Sequence, residues 1–167
     1  MIINKKWVNE KKACEDGAAW FNENYPSDVD GADVVEKLMT DETIKAIAEK
    51  HNNEMSLSWA NWLIVRLMTR KQYLQYAVFA AEQVIHIYEQ KYPVDKTVRA
   101  CIDAAKSVIK DDTEENRNKA DAARAAARSD AWAAAWDAAW DAASAAMIKK
   151  ILSFGISLLR KSDESDS

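Results

Sequence analysis

Three sets of residues have the types and spacing to do chemistry. Glu82, His86 and Glu89, in "AAEQVIHIYEQ", fall three and four positions apart, so a helix sets them on one face as a candidate acid-base group or metal site. Cys14 and Cys101 are candidate nucleophiles, but neither has a base beside it in sequence, and only pairing in space with His86 would supply one. Trp132, Trp136 and Trp140 recur every four residues in a bed of alanine, and the same step runs backwards through Arg128 and Arg124. Aromatic faces and guanidinium groups stack planar ligands such as a base, and they also anchor protein interfaces.

Each set has a plainer structural reading. Di-iron bundles repeat Glu-x-x-His on two helices, whereas position 83 is Gln and the other histidine, His51, sits in the polar "EKHNN". A partly buried, hydrogen-bonded His86 is the expectation, and packed thiols are the expectation for both cysteines. The chain has no phosphate loop, dinucleotide glycine pattern or zinc-ligand spacing. It is therefore read as a non-enzyme with no catalytic residue, cofactor or metal assigned.

For the tryptophans the plain reading is core. A four-residue step advances a helical stripe by about 40° each time, so the stripe winds round the helix and buries different faces along its length. Sixteen of residues 120–146 are Ala, which favours helix but offers little area, so neighbouring helices must come close. Each Trp buries roughly 150–250 Å² and could span those gaps against Trp59, Tyr73, Tyr76 and Phe79. Two functional readings stay open beside it. One is a pocket in which the tryptophans, Arg124, Arg128 and Arg66 stack a nucleotide-like ligand; the other is an exposed stripe that docks a protein. An ice-binding helix is disfavoured, because the regular threonine face is missing.

These side chains must be positioned by helices. Three Gly and two Pro in 167 residues starve a sheet of turn residues, and 49% apolar content suits long helices. The expected fold is all-α, a single-domain helical bundle over residues 1–161 with a disordered tail over 162–167. A first helix over "VNEKKACEDGAAWFNENYP" buries Val8, Cys14, Ala18 and Phe21, with Trp20 beside that stripe and Gly17 marking a close helix contact. Two short helices follow the turn-rich "SDVDG", the second opened by Thr40 or Asp41. "MSLSWANWLIVRLMT" is apolar around most of its circumference and reads as a central helix. Thr69 and Gln72 form a capping-box pattern before a helix that ends at Pro93. Asp95 caps the next, with Val98, Cys101, Ile102, Ala105, Val108 and Ile109 on its buried face. From Thr113 to about Lys161 nothing but Gly155 breaks the helical pattern, so a very long Ala/Trp-rich C-terminal helix is expected, or two helices with a bend near Ser153–Gly155. Its end, "MIKKILSFGISLLRK", is amphipathic, and completing the core is preferred over lying on a membrane.

A net charge of -4 does not mark a double-stranded nucleic-acid binder. The charge is uneven, about -5 over residues 1–55, +4 over 56–110 and -3 over 111–167, so the middle segment could form an anion-attracting face. No apolar run approaches the ~20 residues of a membrane span. With no secretory pattern and two widely spaced cysteines, the chain reads as cytoplasmic with free thiols. An alanine-rich ridge also leaves self-association open.

Read together, "KACEDGAAWFNEN", "WANWLIVRLM", "YAVFAAEQVIHIYEQKYP", "VRACIDAAKSVIK" and the alanine-tryptophan repeat resemble the immunity-protein-five-like family of bacterial toxin-immunity loci and phage genomes. The resemblance spans roughly residues 11–146 and rests on Cys14, Gly17, Trp20, Trp62, Glu82, His86 and the tetrad from Ala123 through Ala143. It implies a small all-helical inhibitor that neutralises a protein partner, a toxin or a host-defence effector, by blocking it. The alternative from another class is a sponge that sequesters a nucleotide signal in an aromatic and basic pocket. A weaker third is a helical enzyme using His86 and Glu82.

Overall fold

The computed structural model describes residues 1–40, 55–127 and 145–165. The protein is all-α: α1 Lys5–Glu10, α2 Glu15–Asn24, α3 Gly31–Thr40, α4 Met55–Leu67, α5 Arg70–Lys91, α6 Thr97–Lys110, α7 Glu114–Ala127 and α8 Ala145–Ser165. One small exception was not foreseen from composition. β1 (Ile2–Ile3) pairs antiparallel with β2 (Val29–Asp30), Ile3 facing Val29 across the ladder. The pair forms because Ile3 is almost completely buried, and burying its backbone requires partners for the neighbouring polar groups. The Gly31 N–H extends the pairing by donating to the Met1 carbonyl at 2.9 Å.

The sequence reading has one domain over residues 1–161, whereas contacts group the chain into two compact units, Met1–Thr69 with Leu152–Ser167 and Arg70–Ile151. The boundaries fall between α4 and α5 and within α8.

In the first unit the expected opening helix is two helices. The Asn4 side chain caps α1 by accepting from the Trp7 N–H at 3.1 Å. The Lys12 N–H then donates to Asn9 O and the Ala13 N–H to Val8 O, the paired bonds of a Schellman ending. Lys12 takes the left-handed conformation (φ 57°) that this ending demands and that glycine more often fills. The chain emerges extended at Cys14, the N-cap of α2, with Glu15 and Asp16 in the first turn, where the helix dipole favours negative charge. Cys14 is consequently exposed, not packed as expected. Phe21 is buried as expected, and Trp20 joins it in the core rather than lying beside it.

Gly17 does mark a close contact: a Cβ there would lie 3.1 Å from Cys14 Sγ and 3.7 Å from Trp59 Cε2. Gly31 is tighter, since a Cβ would fall 2.7 Å from both methyl carbons of Leu67. That glycine lets the start of α3 lie against the end of α4, so that Val34, Val35 and Leu38 meet Leu57, Ala60, Leu63 and Ile64 in one buried core. The apolar circumference predicted for α4 is realised, with Trp59 and Trp62 half-buried beside those residues.

α8 runs unbroken through a buried Gly155, the continuous one of the two alternatives at that point, and continues to Ser165, beyond the expected start of the tail at 162. Ile148, Ile151, Leu152, Ile156 and Leu159 are buried, while Lys149, Lys150, Arg160 and Lys161 are exposed. The amphipathic end of the sequence thus buries its apolar stripe within the chain. Within the first unit, Arg160 reaches α3, bonding Glu36 Oε2 at 2.7 Å and Asp33 Oδ1 at 3.2 Å.

In the second unit α5, α6 and α7 pack in sequence order, α6 contacting both others. Val78, Ile85 and Tyr88 of α5 meet Val98 and Ile102 of α6, with Ala81, Tyr92, Ala105 and Ile109 around them. The N-cap of α6 is Lys96 and not the expected Asp95; one residue earlier, Asp95 accepts from the Thr97 N–H at 2.8 Å and its hydroxyl at 2.6 Å, and it also receives the Tyr88 hydroxyl at 2.6 Å. α7 opens on Thr113, whose Oγ1 accepts from the Asn116 N–H at 3.2 Å.

A basic groove in the second unit

The helical spacing of α5 puts Arg70, Tyr73, Leu74, Ala77, Val78 and Ala81 on one stripe. α6 contributes Cys101, Ile102, Ala105 and Val108, and α7 contributes Arg117, Ala120, Asp121 and Arg124. Together they enclose an open groove of about 640 Å³, within the range of small-molecule sites. The alanines of α5, α6 and α7 leave room where longer side chains would fill it. Its floor is aliphatic and its rim carries charge.

Two of the three rim arginines are already engaged. Asp112 accepts from Arg117 Nε at 2.7 Å through Oδ1 and from Arg70 Nη1 at 2.7 Å through Oδ2. Held by Arg117 first and Arg70 second, its carboxyl is pulled down to about 2. Arg124, two turns beyond Arg117 on the same face, has no hydrogen-bonded or ionic partner among the described residues. Tyr73 was expected in the core with Tyr76 and Phe79; instead it is 48% exposed at the groove, while Tyr76 is buried and Phe79 half-buried. Tyr73 and Tyr76 stand only about 60° apart around α5, so which of them is covered depends on the elements packed against each, and that is not given by spacing along one helix. Desolvation raises the pKa of the half-buried Cys101 thiol, which forms part of the wall.

The acid-base set is dispersed. Glu82 Oε1 takes the Lys106 ammonium at 2.6 Å, and Glu89 takes the Arg99 guanidinium through two bonds of 3.0 and 2.8 Å. The Arg99 bonds lower the Glu89 pKa. His86, between them, is exposed rather than partly buried. The side chains of α6 claim both carboxylates and leave His86 on the solvent face. Among the described residues, no group of three or more His, Cys, Asp or Glu side chains is placed to hold a metal ion.

Of the expected aromatic and basic pocket, the structure places Arg124 in the groove. Arg66 is not part of it: in the first unit its guanidinium lies 4.1 Å from the Trp62 ring and its Nη1 donates to Trp62 O at 2.8 Å. Trp132, Trp136, Trp140 and Arg128, like His51 and the helix expected from Thr40 or Asp41, lie outside the described residues. The sequence reading missed Arg70, Tyr73 and Arg117 as groove residues. Their signal was present as Arg70/Tyr73/Ala77 and Arg117/Asp121/Arg124 at helical spacing, but only the packing of three helices brings the two stripes to one opening.

No helix among the described residues is long and apolar enough to cross a membrane. No protein-family model, curated protein or solved structure matches the chain.

Proposed function

We propose that this protein acts by holding a target rather than converting one, as a cytoplasmic inhibitor that neutralises a toxin or a host-defence effector, with the second unit's groove as a contact site. The observation that carries the reading is the pairing of aliphatic lining with Arg124, which has no ionic or hydrogen-bonded partner among the described residues, and the exposed Tyr73 in one groove. An acidic residue flanked by aliphatic side chains, presented by a partner protein, matches that surface, since aromatic and arginine side chains concentrate binding energy at interfaces. The carboxylates with catalytic potential, Glu82 and Glu89, are held in ion pairs instead. The sequence resemblance to immunity proteins supports the same direction.

A second reading, sequestration of a nucleotide signal, is favoured by the same two groups, because a base can stack on Tyr73 while Arg124 meets phosphate. A double variant, Tyr73→Ala with Arg124→Glu, tests both. Retention of the product of a neighbouring reading frame by the wild type, with release by the variant, supports the inhibitor. A thermal shift of several degrees with linear or cyclic nucleotides that the variant loses supports the sponge. Equal behaviour of the two proteins in both assays overturns the groove as the site.

A further inference from the structure

We infer that the first unit carries a separate binding site, an indole-walled cavity that takes a small planar aromatic carboxylate. The cavity holds about 380 Å³, toward the lower end of the range for small-molecule sites. Trp20 of α2 and Trp59 and Trp62 of α4 form its aromatic wall, and Val34 and Leu38 of α3 contribute aliphatic surface. Indoles offer a flat ring offset-stacked or edge-on contacts from several sides. The Trp20 Nε1–H is itself buried and has no hydrogen-bond partner among the described residues, which a native structure seldom keeps without a reason.

The charge of the ligand follows from the lining. Among the described residues that line the cavity, Lys12 is the charged one, and no carboxylate stands among them. Its exposed ammonium favours an anion. Lys12 also occupies the left-handed turn that ends α1, a conformation that is unfavourable for a non-glycine residue. Glycine would satisfy the turn; lysine supplies the cation. The size and apolar lining select one fused or substituted ring over a nucleotide, whose phosphates need more than one cationic contact.

Calorimetric titration of the full chain with 1-naphthoate and with 1-naphthylmethylammonium tests the site. The expected result is saturable one-to-one binding of the carboxylate, with the cation of nearly the same shape at least about tenfold weaker. Lys12→Gly is expected to weaken 1-naphthoate about tenfold while keeping or raising the melting temperature, because it removes the charge and relieves the backbone together. Ser58→Phe, an exposed position on the cavity wall, is expected to abolish binding with an unchanged circular dichroism spectrum. Absence of saturation by the wild type at millimolar concentration overturns the proposal. So does equal binding of the two probes, or undiminished binding to folded Lys12→Gly or Ser58→Phe protein.

Discussion

At the scale of residues, two aspartates make the protein's stability depend on acid. Asp95 accepts from the Thr97 hydroxyl, the Tyr88 hydroxyl and the Thr97 N–H, and these bonds draw its carboxyl from 3.8 to about 2. Asp112 is drawn to about 2 by Arg117 and Arg70. A carboxyl with a lowered folded pKa stabilises the fold above its ordinary value, and that contribution is lost as pH falls through the folded value. Melting temperature is therefore expected to fall between about pH 4 and pH 2, and Asp95→Asn and Asp112→Asn are each expected to flatten part of that fall in a pH series. At the alkaline end Tyr88 behaves in the opposite sense. Its bond to Asp95 is the main cause that raises its pKa, so its contribution is present below pH 10 and lost as pH rises through the higher folded value. Gly31 gives a third test. The methyl of Gly31→Ala would meet the buried Leu67 side chain at 2.7 Å, and overpacking of this kind costs about 1–3 kcal/mol, measurable by urea denaturation.

At the scale of elements, the amphipathic helices were legible because their signal is local. α6 buries Val98, Ile102 and Val108, each read from spacings of three and four, and α8 buries the stripe that its lysines and arginine border. What was not legible depended on where a turn closes or which helix arrives opposite. Nothing in "EKKACE" announced a left-handed Lys12, since glycine is the usual sign, and without that break Cys14 was placed in the core. His86 was expected to be partly covered on a helix whose solvent side only the packing of α6 decides. The groove was half legible: Arg124 was named, whereas its companions Arg117, Arg70 and Tyr73 come from periodic positions that single-helix reasoning assigns to solvent or core. The α8 stripe makes a quantitative claim. Leu152 is fully buried, and Leu152→Ala is expected to cost about 2–5 kcal/mol, while Lys149→Ala on the exposed side changes stability by less than about 0.5 kcal/mol. Equal effects of the two in chemical denaturation would contradict the burial pattern.

At the scale of the whole molecule, the chain order of the two units matters more than their composition. The first unit is built from Met1–Thr69 and Leu152–Ser167, and the second is a continuous run between them. Truncation after Ile151 is thus expected to strip Leu152, Ile156 and Leu159 from the first unit's core and to lower protection of α3 and α4 amides in hydrogen exchange, while α5 and α6 keep theirs. Loss of protection confined to α5 and α6 would overturn this division.

The same arrangement sets an order of events at the ribosome. Synthesis proceeds from the amino terminus, and continuous segments fold as they emerge. The second unit has all its residues outside before the first has its last ones. Residues 1–69, although made first, must wait for Leu152, Ile156 and Leu159 to complete their core, and for Arg160 to reach Asp33 and Glu36 across more than 120 positions of chain. During that interval the apolar surfaces of α3 and α4 are unfinished. A messenger truncated near its end would release a protein whose later-made half is folded and whose first-made half is a substrate for chaperones and proteases.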